Sequence, residues 1–260
     1  MLAYVHFNID LPWIAWLVYR GEVVTPTAIS DVHALSVWHA IYLISMSRGK
    51  RHDYYMRELL IEAIRQQKYP RAVSRLSGAY FFKDKDAAHR AINSWAGYFR
   101  SEYLAEVEIA NDSRISTYDS EWITSDQVQG TEWIDNYLSG KPMSPTPLWE
   151  MILDGRALIQ TTSVRELAYD RVKSKWPLSL GLLELSRVAV ELKSDLGLIV
   201  PIISKYGHTH KMSLYLNFRD ASNESFLNQF STFSGPINTA DLNVNTDLIV
   251  PDLRKYSVTF

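Results

Sequence analysis

The sequence predicts an α+β fold, because patterns typical of strands and of helices are mixed along the chain without regular alternation. Residues 103–109 (YLAEVEI) alternate between polar and apolar side chains, which is typical of a strand with one buried face. Residues 53–67 carry apolar side chains at helical spacing, whereas the last third, from about Ser186, is rich in strand patterns. A doubly wound parallel sheet would need repeated strand–helix–strand units, so it is disfavoured.

Several elements of the first 140 residues have an identifiable start or end. One helix begins at Leu11-Pro12 and ends at Gly21, and another begins at the N-cap candidate Asp53 and ends before Pro70. The second helix is expected to place five apolar residues on one side: Met56, Leu59, Leu60, Ala63 and Ile64. The other predicted helices are 33–47, Asp84 to about Trp95, and 126–138, and the predicted strands are 3–7, 79–82 and 103–109.

The rest of the chain begins with a predicted strand at 156–161 and a helix from Ser163, as its cap, to Trp176. Further strands are predicted at 187–192, 197–203, 211–218 and 257–260. We therefore expect two parts, a core over residues 1–185 and a β-rich extension over residues 186–260 packed on it.

The composition excludes several classes of protein. Hydrophobic residues make up 47% of the 260 residues, which suffices for a sizeable core and excludes a disordered chain. A formal net charge of −2 and a sequence pI of about 6.4 argue against a strongly basic nucleic-acid-binding domain, while a local basic patch stays open. Cysteine is absent, which excludes disulfides, thiolate metal sites and a cysteine nucleophile.

The apolar N-terminal stretch is interrupted by Asn8, Asp10 and Pro12, and no basic segment precedes it. These features argue against a signal peptide and against a membrane span. We expect a soluble, cytoplasmic protein that has no membrane partner.

The sequence lacks the short motifs of four large enzyme classes. The absence of G-x-x-x-x-G-K-[ST], G-x-G-x-x-G, H-E-x-x-H and G-x-S-x-G argues against P-loop, Rossmann, zincin and α/β-hydrolase enzymes. His208 and His210 would share one strand face and could supply two metal ligands. Because no second cluster accompanies them, a hairpin tip is the preferred interpretation and no metal site is predicted.

Three segments carry a recognisable pattern: 56–92 (MRELLIEAIRQQKYPRAVSRLSGAYFFKDKDAAHRAI), 103–109, and 148–155 (LWEMILDG). Together they resemble a group of bacterial proteins with an ADP-ribosyltransferase-like fold, in which a helix precedes a Ser-Arg element and an aromatic strand, and a later segment supplies a glutamate. The resemblance covers roughly residues 1–165. The RNA-modifying toxin of phage-defence toxin–antitoxin–chaperone systems is a similar protein, and the DNA-modifying ADP-ribosyltransferase toxins are more distant.

The resemblance implies an ADP-ribosyltransferase-like split β-sheet core with inserted helices, and NAD as a substrate. It implies a mono-ADP-ribosyltransferase toxin of phage defence that modifies nucleic acid, with RNA favoured over DNA. It also implies an antitoxin protein as a partner and leaves a chaperone open as a second one.

Glu150 is the candidate catalytic acid. Loss of nicotinamide from NAD creates an oxocarbenium-like ribose, and a carboxylate near the ribose 2′-OH can orient it and stabilise the developing positive charge. Glu150 lies between a tryptophan and an apolar run, where a carboxylate acts in a low local dielectric despite its desolvation cost. The alternative is an exposed glutamate at a helix N-terminus after Pro147, stabilised by the helix dipole.

Arg75 is the second candidate catalytic residue, because a guanidinium can fork onto a pyrophosphate or steady the departing charge. Its alternative role is a surface salt bridge. The resemblance places His6 of the first strand at the NAD ribose, with a buried core histidine as the alternative. Ser77 would hydrogen-bond the ribose or the nicotinamide amide, and Tyr80 would stack on nicotinamide.

Other charged residues have simpler interpretations. Glu106 and Glu108 would share a solvated strand face, and Glu166 would belong to the surface charges of a helix. Two basic clusters are candidate phosphate contacts for a nucleic-acid acceptor, and an ordinary solvated surface is an equally good interpretation of both. The clusters are residues 48–52 and the set Arg171, Lys173 and Lys175 before Trp176.

Two other functions stay open. An NAD glycohydrolase would use the same cleft with water as the acceptor and would release free ADP-ribose. A non-enzymatic binding module would use the β-rich last third to dock a partner strand or a chaperone, and its activity would not depend on Glu150.

Overall fold

The computed structural model describes residues 1–260 apart from 30–32, 48, 50–51, 95–99, 126–129 and 239–247, and apart from the side chains of 52–54. The helices are α1 (Pro12–Arg20), α2 (Val37–Ser47), α3 (His52–Lys68), α4 (Lys85–Ser94), α5 (Glu121–Thr124), α6 (Glu132–Leu138), α7 (Thr162–Lys175), α8 (Leu180–Glu191) and α9 (Glu224–Ser231). The strands are β1 (Leu2–His6), β2 (Glu22–Val24), β3 (Ala79–Phe82), β4 (Leu104–Ile109), β5 (Arg114–Asp119), β6 (Trp149–Asp154), β7 (Arg156–Ile159), β8 (Ile199–Tyr206), β9 (Thr209–Leu216) and β10 (Val258–Thr259). None of these helices is both long and apolar enough to cross a membrane.

Seven strands form one sheet in the order β2-β7-β4-β1-β3-β6-β5. Every neighbouring pair is antiparallel. The first strand, β1, lies in the middle of this sheet between β4 and β3, so it joins the two halves. Strands β8, β9 and β10 form a second, smaller antiparallel sheet. The predicted α+β class is confirmed.

One face of the large sheet carries the main hydrophobic core. Val5, Phe81 and Val107 are buried there, and α1 adds the fully buried Trp13 and Trp16. Helix α7 packs along α1 on the same side. Because side chains alternate along a strand, the neighbours of these strand residues point to the opposite face.

The opposite face of the large sheet is covered by three other helices. Tyr80 lies across from Ile152, and Phe82 lies across from Glu150, in the pairing of β3 with β6. Helix α4 packs on Phe82, whereas α3 and α6 pack on Ile152. A carboxylate therefore stands on a covered part of the sheet, and this position defines the candidate site.

Helix α1 also connects the large sheet to the C-terminal part of the chain. The indole N–H of Trp16 donates a hydrogen bond of 2.8 Å to the carbonyl of Gly197. Met212 and Val258 of the small sheet belong to the same hydrophobic cluster as Trp16. Helix α8 runs through the predicted boundary at residues 185 and 186, so the core is continuous across it.

The predicted elements of the first 110 residues are largely confirmed. Strands β1, β3 and β4 lie within one residue of their predicted bounds. Asp84 caps α4, because its Oδ1 accepts a hydrogen bond of 2.7 Å from the backbone N–H of Ala87. Trp95 and residues 126–129, at the ends of two predicted helices, lie outside the described residues.

Two predictions for the second half are wrong. Ser163 lies inside α7, which begins at Thr162, so it is not the cap. Most of the predicted strand 187–192 belongs to α8. Val188 is fully buried in that helix, and packing of α8 against α1 outweighs the strand propensity of its β-branched residues. Strands β5 and β6 and helix α9 were missed.

Replacing Trp16 by phenylalanine is expected to lower the free energy of unfolding by about 2 kcal/mol, because it leaves a void and an unpaired buried carbonyl at Gly197. Trp122→Phe is the matched control, since the Trp122 indole also donates to a backbone carbonyl, that of Lys141 at 2.7 Å, but near the surface. Chemical denaturation of both variants measures the difference. Equal losses would contradict the connecting role of Trp16.

Candidate functional site

The candidate site is centred on the buried guanidinium of Arg75. Arg75 is 5% exposed, and it forks onto the carboxylate of Glu58, which is 4% exposed. The Nε–Oε2 distance is 2.7 Å and the Nη2–Oε1 distance is 3.0 Å. Such a bidentate pair combines charge with fixed geometry, so it holds α3 against the turn that contains Arg75.

Glu150 joins this pair from β6. The third guanidinium nitrogen, Nη1, donates to Oε1 of Glu150 at 2.7 Å and also to the hydroxyl oxygen of Tyr137. The Tyr137 hydroxyl in turn donates to the same Oε1 at 2.8 Å. Four elements therefore meet at one point: α3, the turn before β3, α6 and β6. We call Glu58, Arg75, Tyr137 and Glu150 the Arg75 cluster.

Local backbone geometry explains how Arg75 reaches the sheet. The turn 74–77 lies directly against β6, and Gly78 ends it. A Cβ atom at Gly78 would lie 2.4 Å from the Ile152 side chain and 2.7 Å from the carbonyl oxygen of Ser74. Glycine is therefore required at this close approach, and it brings the Arg75 side chain over the face that carries Glu150.

The electrostatics of the cluster favour a charged Glu58 beside a charged guanidinium. Burial would lower the pKa of Arg75, but Glu150 and Glu58 outweigh it and raise that pKa. Burial would likewise raise the pKa of Glu58, but Arg75 holds it below its usual value. Burial raises the pKa of the Tyr137 hydroxyl, which keeps it protonated as a donor to Glu150.

The two carboxylates of the cluster are used differently. Both oxygens of Glu58 bind Arg75, whereas only Oε1 of Glu150 is bound. The other oxygen, Oε2, accepts no hydrogen bond from any described residue, and Glu150 retains 8% exposure. With one arginine between two glutamates, the cluster carries one excess negative charge. It can therefore attract a cation or accept a hydrogen bond from a ligand hydroxyl.

Aromatic side chains line the cluster on the β3 side. The Tyr80 hydroxyl donates to the carbonyl of Arg75 at 2.7 Å, and the Tyr80 ring lies 4.8 Å from the guanidinium carbon. Trp38 of α2 packs on Tyr80 with ring centroids 6.0 Å apart. The next residue, His39, is 1% exposed.

The structure brings together three of the five predicted site residues: Glu150, Arg75 and Tyr80. Ser77 is half-buried two residues after Arg75. His6 lies on β1, across from Leu104 of β4, and its ring is 6.0 Å from that of Tyr103.

The simpler alternatives for the two catalytic candidates do not describe this structure. Glu150 is a buried strand residue, so it is not an exposed residue at a helix N-terminus. Arg75 forms buried ion pairs, so it does not belong to a surface salt bridge.

Sequence reasoning missed Glu58, because the apolar side of α3 was predicted wrongly. Met56, Leu59 and Leu60 are 53%, 37% and 42% exposed, whereas Glu58 and Glu62 are 4% and 8% exposed. Glu62 is held by Arg65 and Ser74 at 2.9 and 2.8 Å. The acidic side chains of α3 therefore face the interior, because arginine and hydroxyl groups bind them there. The available signal was the spacing of residues 58, 61, 62 and 65, which share one helical face.

Tyr137 was missed for a different reason. It belongs to a predicted helix, and nothing in its local sequence distinguishes it from a core aromatic residue.

A cavity of about 530 Å³ is lined by two exposed apolar residues of α3, Met56 and Leu60, and by Arg57, Trp122, Ser125, Gly130 and Trp133. Met56 and Leu60 form one wall, and Trp122 and Trp133 form another. Each indole N–H is bound to a backbone carbonyl, at 2.7 Å for Trp122 and 3.0 Å for Trp133. The cavity therefore offers apolar ring surfaces, which suit a flat apolar group.

Three of the other charged candidates have structural partners: Glu106, Glu108 and Arg171. The Tyr4 hydroxyl donates to Glu106 at 2.7 Å, and Gln160 donates to Glu108 at 3.1 Å. Arg171 pairs with Asp10 near the surface. In the predicted basic cluster 48–52, residues 48, 50 and 51 lie outside the described part of the chain.

The histidine pair is at a hairpin tip, as predicted. His208 lies in the turn between β8 and β9, and His210 lies in β9. Throughout the described ranges, no group of three or more histidines and acids has the arrangement of a metal site.

Residues 32–165, more than half of the chain, match the family DUF2441, which is described as a protein of unknown function. The chain belongs to this family. Every residue of the Arg75 cluster lies within the DUF2441 segment, as does Tyr80, whereas His6 precedes it. No curated protein matches the chain.

Glu58→Gln is expected to lower the free energy of unfolding by about 3 kcal/mol, because it leaves the buried Arg75 guanidinium without its bidentate partner. Glu150→Gln is the matched variant and should cost less than half as much, since Arg75 keeps both bonds to Glu58. Urea denaturation at neutral pH compares the two. A larger loss for Glu150→Gln would show that Glu150 is the main partner of Arg75.

The lowered pKa of the buried His39 predicts that the free energy of unfolding depends on pH. Burial, opposed by Glu58 and reinforced by Arg75, lowers the pKa of His39 from 6.5 to about 4. Between these values the unfolded chain binds more protons than the folded one, so the free energy of unfolding falls as the pH falls from 6.5 to 4. The contribution lost is up to about 3 kcal/mol.

His39→Phe removes the titrating group and should flatten this part of the profile, measured by denaturation at several pH values. An unchanged slope in the variant would assign the pH dependence to other groups.

Proposed function

We propose that this member of DUF2441 is an NAD-dependent mono-ADP-ribosyltransferase that modifies nucleic acid, with RNA favoured over DNA. The observation that carries the proposal is the carboxylate of Glu150, which is buried beside Arg75 and whose Oε2 accepts no hydrogen bond from a described residue. An anionic group in a low dielectric interacts strongly with a developing positive charge. The resemblance of residues 1–165 to ADP-ribosyltransferases supports the same reaction.

Glu150 would act on the ribose of NAD. The bond between the nicotinamide nitrogen and ribose C1′ breaks, its electron pair leaves with nicotinamide, and the ribose becomes oxocarbenium-like. The free Oε2 would accept a hydrogen bond from the 2′-OH and stabilise this cation. A lone pair of the acceptor then forms the new bond to C1′, and the acceptor proton leaves to solvent.

Arg75 is assigned the task of orienting Glu150. Four of the five N–H groups of the Arg75 guanidinium are used within the protein, by Glu58, Tyr137 and Glu150. Because few N–H groups of Arg75 remain for a pyrophosphate, we no longer propose that Arg75 binds the pyrophosphate, as the sequence suggested. We propose instead that it positions Glu150. The excess negative charge of the cluster is then available for the reacting ribose.

The remaining site residues would bind other parts of NAD. Tyr80 would present its ring to nicotinamide, and Ser77 would hydrogen-bond the ribose or the amide. His6 stays the proposed contact of the NAD ribose from β1. An ADP-ribosyltransferase-like split sheet, a cytoplasmic location and control by an antitoxin belong to this proposal through the resemblance, which leaves a chaperone open as a second partner.

The test incubates the purified protein with labelled NAD and separate RNA, DNA and protein pools. We expect label on RNA, and we expect Glu150→Gln to reduce it by at least about 100-fold. Glu106→Gln is the matched control, because Glu106 is also a hydrogen-bonded acid of the large sheet, lying outside the Arg75 cluster. It should retain activity.

The other outcomes separate the alternatives. Nicotinamide release with only free ADP-ribose would indicate a glycohydrolase. If the folded protein releases no nicotinamide with any pool, the enzyme proposal fails and a binding module is favoured.

A further inference from the structure

The small sheet carries charges of one sign. Its strands β8, β9 and β10 lie within residues 196–219 and 253–260, and neither segment contains an aspartate or a glutamate. The two segments contain five basic residues: Lys205, Lys211, Arg219, Arg254 and Lys255. Because the whole chain has a formal net charge of −2, this positive charge is a local property of the small sheet. An anionic partner therefore complements it.

The hairpin of β8 and β9 has an exposed tip, residues 204–210. In its register, Ser204 lies across from Lys211, and Tyr206 lies across from Thr209. Residues across from each other in an antiparallel pair share a face, as do residues two apart in one strand. These four side chains and that of Tyr215, which is four residues after Lys211, therefore stand on one face. We call these five residues the hairpin face.

The hairpin face combines exposed aromatic rings with a positive charge. Tyr206 and Tyr215 are 62% and 50% exposed. The ammonium of Lys211 lies 5.7 Å from the centroid of the Tyr206 ring, and it forms no ion pair with a described residue. A phosphate bound by Lys211 would thus lie beside a base stacked on Tyr206. Proteins that bind single-stranded nucleic acid use this combination of stacking rings and cationic groups.

The length of the hairpin face suits a short single strand. Thr209 marks the position of Tyr206 on β9, and Tyr215 follows six residues later, so the two rings are about 20 Å apart. A cavity of about 620 Å³ adjoins the face at Lys211 and Tyr215, and Arg254 also lines it. This span suits about four nucleotides, which is at the lower end of the known site sizes of single-strand binding domains.

Two hydroxyl groups of the hairpin face favour ribose over deoxyribose. The Thr209 hydroxyl donates to the carbonyl of Tyr206 at 2.8 Å, and the Ser204 hydroxyl donates to the carbonyl of Lys211 at 3.4 Å. Because both hydroxyl hydrogens are used in this way, the two oxygens can act as acceptors. The 2′-OH of a ribose can donate to them, whereas deoxyribose lacks this group. The face is therefore better matched to RNA than to DNA.

We propose that the hairpin face binds single-stranded RNA. Tyr206 and Tyr215 stack on two bases, and Lys211 binds a phosphate between them. The hydroxyl oxygens of Ser204 and Thr209 accept hydrogen bonds from 2′-OH groups. In the proposed reaction this RNA would be the acceptor, but its binding requires neither NAD nor the site at Glu150. The two proposals can therefore fail separately.

The test titrates the full chain, without NAD, into a fluorescein-labelled RNA of about twelve nucleotides with mixed, non-self-complementary sequence. Fluorescence anisotropy should give a Kd below about 100 μM at about 50 mM salt. DNA of the same sequence should bind about threefold more weakly, because it lacks the 2′-OH donors. Polyglutamate with the same number of charges should compete at least about tenfold less well than unlabelled RNA, because it has no bases to stack.

Three variants and one control localise the binding. Tyr206→Ala should weaken it about tenfold, whereas Tyr206→Phe keeps the ring and should bind like the unmodified protein. Lys211→Gln should reduce the slope of log affinity against log salt by about 0.7, the value of one phosphate contact. Lys173→Gln is the matched control, since Lys173 of α7 likewise lies 5.7 Å from a tyrosine ring, that of Tyr169. It should leave affinity and slope unchanged.

Any of five outcomes would overturn the proposal. The first is no binding of the RNA at about 100 μM protein. The second is equal affinity of Tyr206→Ala and Tyr206→Phe, both shown to be folded by thermal unfolding. The third is equal competition by polyglutamate, which would assign the face to acidic chains in general. The fourth is DNA that binds at least as tightly as RNA. The fifth is a larger effect of Lys173→Gln than of Lys211→Gln, which would place the phosphate contact on α7.

Discussion

The ion pairs of Arg75 organise the second face of the large sheet. Its guanidinium binds Glu58 of α3, Glu150 of β6 and the hydroxyl of Tyr137 on α6. Removing these charges from water costs several kcal/mol per ion, and the cost is offset only when geometry and additional hydrogen bonds are good. The positions of α3, α6 and β6 are therefore coupled, because a shift of any one leaves a buried charge without its partner.

A purely structural role for Arg75 would be complete with Glu58 alone, since that pair is already neutral and bidentate. Glu150 adds a second carboxylate, and with it an excess negative charge and an oxygen, Oε2, to which no residue of the described ranges donates. Burying this second carboxylate on a covered sheet lowers the free energy of unfolding. Buried groups that lower stability in this way are expected at functional sites. The Tyr137 hydroxyl and the Arg75 guanidinium bind only Oε1 of Glu150. They therefore orient the carboxylate without occupying its other oxygen, Oε2.

The two sheets differ in how they are packed. The large sheet is covered on both faces by helices, and its middle strand is β1. The small sheet packs Met212 and Leu214 of β9 into the main core, and the turn Arg254–Tyr256 lies against the same strand. Both sheets therefore belong to one continuous core.

The sequence by itself determined the α+β class, the strands β1, β3 and β4, the cap at Asp84, and Arg75 and Glu150 as the residues of interest. The elements and the cap rest on local signals, namely period-two alternation, capping residues and turn residues, whereas Arg75 and Glu150 were singled out through the resemblance to ADP-ribosyltransferases. Only the tertiary structure decided that Glu58 and Tyr137 join them, and that α3 turns acids inward while Met56 and Leu60 stay exposed. It also decided that residues 187–191 are helical. In each case the deciding partner lies far away in the chain, such as Arg75 for Glu58 or α1 for Val188. Burial and ion pairing between distant segments outweigh local propensity, and a pattern of neighbouring residues does not contain them.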